Sequence, residues 1–600
     1  MINKINILII LAVLLVPVSS FAVSDAWKDQ ILYFVLIDRF FDGNPANNSR
    51  VDPNDIEAFQ GGDISGISKK LGYLEDLGVT GIWLSPFITN RDRNFFGQEP
   101  YHGYWPYDFF SVDKRFGTNA ELESLRRGLR SKRFTLLLDM VVNHMGYDAP
   151  FTQLHPDWFN PEVNIEDWND PEQLVNRRIY GLPDFNSGKL IVKAYFRQVA
   201  RHWIRALNPD GFRLDAVKHV PAEFWVNFND SARKNSHKRN FLLLGEYLNG
   251  NPEDLLKTWQ EGKFDSLFDF PLYYTMKEVF ADGKSPYKLA SRLYFDRRYP
   301  DAGFLATFLD NHDLDRFITS CKADIRSYKL AMTFLMTVRG IPVLCYGNEV
   351  PLEGEHAEKP MNRGNMVFNQ KSHMYLFTKD LIKFRKDNEA LRRGLHCHLY
   401  ADENSYLYGR LTSNQLILVA LNNSEQALKI NAEFPFELEN NDVLLTSVKG
   451  FNTSAVINEK RINISLPPKS FAIFVPNCDP GYYKDAYERA KKHFENEYEQ
   501  GTVNQKIRVK VANYLPDQAK VFITGNCKEL GSWNNANCAV QMVKVKKNLY
   551  ETTITMPKGK IFECKPFYKN GSQTVWKEGE NTIHLAGEKG GEFLHIDWAN

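Results

Sequence analysis

Eight apolar runs of strand length, most separated by helix-period segments, constrain this chain more than any other feature. They are Ile31–Phe40, Gly81–Ser85, Phe134–His144, Gly211–Val217, Phe241–Tyr247, Asp265–Phe270, Phe304–Asp313 and Ile341–Glu349. Buried strands alternating with amphipathic segments such as Lys189–Leu207 build parallel βαβ units. Eight units over residues 23–387 predict a (β/α)8 barrel; a doubly wound sheet is the alternative. Polar residues gather at the C-terminal ends of the runs, as Asp38-Arg39, Asn143-His144, Asp215, Glu246 and His312-Asp313. That end of such a barrel carries the chemistry.

The run Gly211-Phe212-Arg213-Leu214-Asp215 sets the expectation for that chemistry. Side chains alternate along a strand, so Arg213 and Asp215 share one face. A guanidinium beside an aspartate is expected to lower its pKa and keep it ionised, as a covalent glycosidase nucleophile must be. Glu246 follows four apolar residues and a glycine, where desolvation raises a carboxyl pKa and suits a general acid.

The rest of the chain divides by composition. Residues 145–186 are rich in Trp, Asn, Asp and Pro, too long for a βα loop, and read as a small inserted domain. Residues 388–478 switch to strands and suggest a β-sandwich. Residues 479–504 are highly charged and read as a helical spacer, and 505–600 return to short strands carrying Trp533 and Trp576. At the start, Lys4, the apolar run Ile7–Val18 and Ser20-Phe21-Ala22 form a secretory signal over 1–22; a retained anchor is the alternative. The expected product is exported, extracellular or periplasmic, off the membrane once the signal is cleaved, and monomeric. A net charge of +1 gives no pull toward nucleic acid. Seven cysteines, an odd number, are no disulfide scaffold; Cys345 reads as buried and free, and spacing permits a Cys527–Cys538 bridge.

Four stretches read together: Asp139–His144 (DMVVNH), Gly211–His219 (GFRLDAVKH), Gly245–Gly250 (GEYLNG) and Phe308–Asp313 (FLDNHD). They resemble, in order, the signature regions of the α-amylase family of glycoside hydrolases. The resemblance implies Asp215 as nucleophile, Glu246 as acid/base and Asp313 as the third carboxylate. It places Arg213, His144 and His312 around the sugar. Tyr101–Trp105 resembles the segment that closes over the scissile ring, with His102, Tyr104 and Trp105 as binding residues. Lys218 and His219 follow the nucleophile as in amylases and cyclodextrin glucanotransferases. Tyr180 matches the aromatic around which the transferases wrap a glucan.

The resemblance also implies calcium. Asn143, Asp184 and the carbonyl of His219 match a site between barrel and inserted domain. Asp42, Asn44, Asn47, Asn48 and Asp63, with the Gly61 carbonyl, resemble a second site known in cyclodextrin glucanotransferases. The C-terminal segment resembles the family-20 starch-binding module, which implies a sugar site of Trp533, Lys565, Trp576 and Asn581. Its second sugar site departs from the pattern at Phe522 and Glu551. Leu248 replaces an aromatic of the transferases, Lys359 stands where they carry an aspartate, and their extra immunoglobulin-like domain has no counterpart. The expectation is therefore a retaining hydrolase of α-1,4-glucans such as starch, glycogen or maltodextrin. A transferase is the alternative, and a barrel that only binds glucan the remote one.

Overall fold

The computed structural model describes residues 23–598, apart from 436–442, 477–479, 513–514, 517, 535–537 and 588–592. The expected signal, residues 1–22, lies outside the described residues.

All eight apolar runs form strands: β1 (Leu32–Val35), β2 (Gly81–Leu84), β3 (Thr135–Met140), β4 (Gly211–Leu214), β5 (Leu242–Gly245), β6 (Ser266–Leu267), β7 (Ala306–Phe308) and β8 (Ile341–Cys345). They pair in parallel in the order β6-β5-β4-β3-β2-β1-β8-β7. The free edges meet through a parallel bridge, Phe268 to Ala306, and the N–H of Asp269 donates to the Ala306 carbonyl at 2.9 Å. The sheet is thus closed into a (β/α)8 barrel. Leu and Ile runs suit strands covered on both faces, inside by one another and outside by helices. One such helix, Leu190–Leu207, buries Val192, Phe196, Val199 and Trp203. Gly211 is required where it stands, because a Cβ there would lie 2.4 Å from the Leu242 carbonyl oxygen.

Two excursions leave the barrel on the side where the strands end. The inserted segment is tied at its base by an antiparallel bridge between His144 and Asp184. It contains the short helices Pro150–Leu154 and Pro171–Asn176. The other excursion, a hairpin of Ile88–Asn90 with Pro106–Val112, carries no alternation strong enough to be read beforehand.

Past the barrel, strands Leu395–Ala401, Ser405–Leu411, Leu416–Asn422 and Ser470–Phe474 form one sheet. Its two faces serve different cores. Tyr406, Tyr408, Ile417 and Val419 join the barrel core, while Leu407, Leu418, Ala420 and Phe474 face a second sheet and build a separate core. Period-two alternation with both phases apolar is what a sheet sandwiched between two layers demands. The charged helix Pro480–Glu495 is not the bare spacer expected from its composition. Tyr483 and Ala486 on it are buried in the second core with Tyr487 and Ala490 packed beside them, an i, i+3, i+4, i+7 stripe that seats one face of the helix. A third core, around Ile507, Val509, Phe562 and Trp598, lies between two further sheets. This last unit leans on the barrel: Asn526 Nδ2 donates to Ser291 Oγ at 3.0 Å and Glu580 pairs with Lys284 and Lys288. Cys345 is buried and free, and Cys527 and Cys538 remain separate thiols.

Candidate active site

Strand β4 ends in a sharp change of direction. Ala216 takes a left-handed conformation (φ 50°, ψ 40°), which a residue with a Cβ adopts at some cost. The turn leaves Asp215 at the barrel mouth and Arg213 fully buried beneath it. Arg213 is the hub of the site. Its Nη1 donates to Asp215 Oδ1 at 2.5 Å and to Asp139 Oδ1 at 3.0 Å, and its Nη2 pairs with Glu246 Oε2 at 3.0 Å. Strand register makes this possible, since Asp139 on β3 stands opposite Arg213 on β4. Asp139 Oδ2 also accepts from Trp83 Nε1 at 2.9 Å and from the Tyr104 hydroxyl at 2.8 Å. Glu246 Oε2 accepts from the Ala216 N–H at 3.2 Å.

Asp313 approaches from the other side. Its Oδ1 accepts from Arg363 Nη2 at 3.0 Å and its Oδ2 lies 3.1 Å from His312 Nε2. The ring of Tyr104 lies flat against His312, centroids 5.0 Å apart and planes 4° apart. His102 Nδ1 accepts from the Tyr104 N–H at 3.0 Å, and His144 Nε2 sits 3.0 Å from the Tyr104 carbonyl. Three histidines therefore fix one tyrosine over the floor.

Desolvation divides the three carboxyls. Burial pushes Asp215 up to about 7 against the pull of Arg213, which corrects the lowered value expected from the Arg–Asp spacing alone. Desolvation is the larger effect, and the Asp139 charge on the same guanidinium adds to it. Burial likewise pushes Glu246 up to about 7. At Asp313 burial is outweighed by His312, Arg363 and Arg213, which hold the carboxyl at about 2. Burial takes His312 down to about 3 and His144 to about 4, so both rings are neutral.

Above these groups opens a cleft of about 610 Å³. His102, Tyr104, Trp105, His144, Tyr180, Lys218, His219 and His312 line it together with Asp215, Glu246 and Asp313; Arg213 lies below the floor. Three residues of the site had no separate sequence signal. Arg363 reaches Asp313 from the end of a single 3-10 turn, Met361–Arg363, and Trp168 packs beside the exposed Tyr180 ring at 5.8 Å. Asp139 opens the DMVVNH stretch but was given no role of its own there.

Among the described residues no three His, Cys, Asp or Glu side chains converge as a metal cage. The two expected calcium clusters are rich in amides and carbonyls instead, and both fit a hard cation. Asp184 is buried and, among the described residues, has no ion-pair partner; it accepts from Asn160 Nδ2 at 2.7 Å, and burial raises it to about 8. The Asn143 amide lies against it. In the second cluster Asp42 Oδ1 and Asn47 Oδ1 are buried acceptors without a hydrogen-bond partner. Gly61 (φ 87°) closes the cradle, since a Cβ there would sit 3.0 Å from Asn48 Oδ1. Asp63 is committed elsewhere. As the cap of helix Ile64–Leu77 it accepts from the N–H groups of Gly66 (2.6 Å), Gly43 (3.1 Å) and Asn44 (2.8 Å). Asn44 Oδ1 is also partly engaged, by the Ala46 N–H at 3.3 Å.

Lys565 and Trp576 lie on adjacent strands of one sheet of the last unit, Asn581 just precedes a third, and Trp533 lies on a turn tied to the same sheet. Phe567 pairs with Trp576 and Cys564 with Thr582 across adjacent strands. The Trp533 N–H donates to the carbonyl of Gly525, which pairs with Cys564. Lys565 Nζ donates to the Gly579 carbonyl at 2.7 Å and Asn581 Nδ2 to Glu563 at 3.1 Å.

A family model described as alpha amylase, catalytic domain, matches residues 34–369, and a starch binding domain model matches 504–592. A Beta/alpha-amylase of Paenibacillus polymyxa is 31% identical over 75% of this chain, which spans 38% of that protein. A cyclomaltodextrin glucanotransferase of Klebsiella oxytoca is 26% identical over 92% of both chains. Among solved structures, an Anoxybacillus alpha-amylase superposes with a TM-score of 0.70 at 32% identity, covering 75% of this chain and 99% of its own.

Proposed function

Since the chain belongs to the alpha-amylase family of glycoside hydrolases and ends in a starch-binding domain, we propose that it is an exported enzyme hydrolysing α-1,4-glucosidic bonds of starch and related maltodextrins with retention of configuration. One observation carries this reading: a single guanidinium, Arg213, holds Asp215 and Glu246 on its two terminal nitrogens under a cleft that Asp313 closes from the opposite side.

The fork keeps the two carboxyls near each other, which favours the close spacing of retaining enzymes over the roughly 6.5–9.5 Å gap of inverting ones. With Asp215 and Glu246 both near 7 and sharing one cation, the pair holds one proton over the neutral range. The shorter bond to Arg213 puts the charge on Asp215 and leaves the proton on Glu246. Asp215 attacks the anomeric carbon as Glu246 protonates the leaving oxygen, and the C–O bond breaks. A water then gives its proton to Glu246 and attacks the same carbon, releasing Asp215 and regenerating both groups. Asp313, held ionised by His312 and Arg363, binds ring hydroxyls and steadies the positive charge of the transition state.

Asp184 with Asn143, and Asp42 with Asn47 and Asn48, would hold calcium as a fold-stabilising ion that takes no part in the steps above. Trp533 and Trp576 would stack on glucose rings of insoluble starch. Export follows from the leader-type residues 1–22.

Transglycosylation is the second reading. The Tyr180 ring, 77% exposed at the cleft mouth, offers a curved glucan a surface to wrap. Leu248 lines the same cleft where an aromatic would hold an acceptor sugar and exclude water, which favours hydrolysis. Soluble starch incubated with wild type and with Asp215→Asn, read for reducing ends and for cyclic oligomers, decides. Reducing ends from wild type alone support the hydrolase; equal release by both sinks it, and cyclic products as the main output move the assignment to a glucanotransferase.

A further inference from the structure

We infer that the loop Arg91–Glu99 carries an outer α-glucan-binding platform, centred on Phe96, which extends the cleft to longer chains. The inference rests on the reading of the cleft as a glucan site.

Phe96 is 93% exposed, more than any other large apolar side chain among the described residues. It sits at the tip of a small hairpin in which the N–H of Phe95 donates to the Gln98 carbonyl at 2.8 Å and the N–H of Gln98 returns to Phe95 at 3.1 Å. Both tip residues have positive φ, 50° at Phe96 and 95° at Gly97. Such turns favour Asn, Asp or Gly at both positions, and a bulky aromatic there is conformationally costly. Folding gains nothing from the choice, since the ring buries almost no surface. A strained backbone holding an exposed apolar ring is the signature of a group kept for a ligand.

The ring is joined to the cleft. Phe96 stands edge-on to Phe95 at 4.6 Å, Phe95 lies flat on Tyr147 at 3.7 Å, and Tyr147 meets Trp105 edge-on at 5.3 Å. Trp105 and Gln98 both line the cleft. The ladder is also braced. Arg91 donates to the carbonyls of Tyr147 (3.1 Å) and Arg93 (2.7 Å) and to Asp148 (2.8 Å). A glucan leaving the cleft past Trp105 therefore meets a pre-positioned apolar face. Glucose rings present C–H faces that stack on such a surface with little loss of side-chain freedom.

The test compares wild type, Phe96→Ala and Phe96→Trp on maltotetraose and on linear maltodextrins of twelve or more units. Phe96→Ala should raise KM for the long substrate about five- to tenfold, with its kcat and the maltotetraose kinetics unchanged, and Phe96→Trp should restore long-chain KM. A wild type that cleaves both substrates, with Phe96→Ala matching it on the long one, overturns the inference alone. A wild type that cleaves neither sinks the hydrolase reading and takes this inference with it.

Discussion

Arg363 donates from Nη2 to Asp313 Oδ1 at 3.0 Å, and its Nε holds the carbonyl of His312 at 2.8 Å. The arginine thus fixes both members of the His312-Asp313 pair from outside the strand that carries them. Its removal should act on the acid side of the pH profile. Burial alone would raise Asp313; His312, Arg363 and Arg213 hold it at about 2. A carboxyl depressed in this way stays ionised above its ordinary value and loses that charge only as pH falls toward the folded value. In Arg363→Met the acidic limb of kcat/KM should move up, with kcat/KM at pH 6 down at least tenfold. An acidic limb that stays in place shows that Arg363 does not control Asp313.

The basic limb belongs to Glu246, the group that must carry a proton. Glu246 is raised to about 7 by burial, so its protonated form is favoured in the folded state below that pH. Raised carboxyls weaken stability as pH climbs from the unfolded value through the folded one. Glu246→Gln should therefore lower starch hydrolysis more than a thousandfold, yet melt at a higher temperature than wild type at pH 8. The two proteins should melt alike at pH 5, where wild-type Glu246 already carries its proton. Scanning calorimetry at the two pH values checks this, and equal melting at pH 8 contradicts it.

Calcium should show in stability rather than in the pH profile. Removing divalent ions by chelation should lower the melting temperature, and calcium should restore it where magnesium does not, because amide and carbonyl oxygens at flexible spacing suit the larger ion. Asp184→Asn should lose most of the calcium increment. A melting curve indifferent to chelation and to calcium removes both cation sites.

Granule binding and catalysis should separate. Trp533→Ala with Trp576→Ala should abolish retention on granular starch while leaving soluble-starch kinetics within about twofold of wild type, since both lie outside the cleft. Sedimentation with granules measures the first and reducing-end assay the second. Undiminished granule retention overturns the role of the two rings.

Much of the barrel was legible in the chain because its strands are buried on both faces, and a run such as Phe241–Leu244 has no other economical fate. The strand-end carboxyls were legible for the same reason, each standing in the polar residues that close such a run. Arg363 and Trp168 were not, because their partners are remote in sequence and they lie on segments without periodicity. The direction of the Asp215 shift was misread because spacing shows the Arg213 neighbour but neither the burial of the carboxyl nor the Asp139 charge that strand packing brings to the same guanidinium. The helix Pro480–Glu495 was misjudged because composition averages over its faces while burial depends on one of them. Phe96 gave no signal in sequence at all, since its exposure and its positive φ exist only in three dimensions.

The sheet whose alternate side chains feed two cores also limits how this protein can be dissected. Tyr406, Tyr408, Ile417 and Val419 form part of the wall against which the barrel rests. A fragment stopped at Asp387 would leave that wall missing and an oily flank facing water, so it should precipitate rather than work as a minimal enzyme. Any trimming toward a smaller biocatalyst has to spare this shared masonry through Phe474.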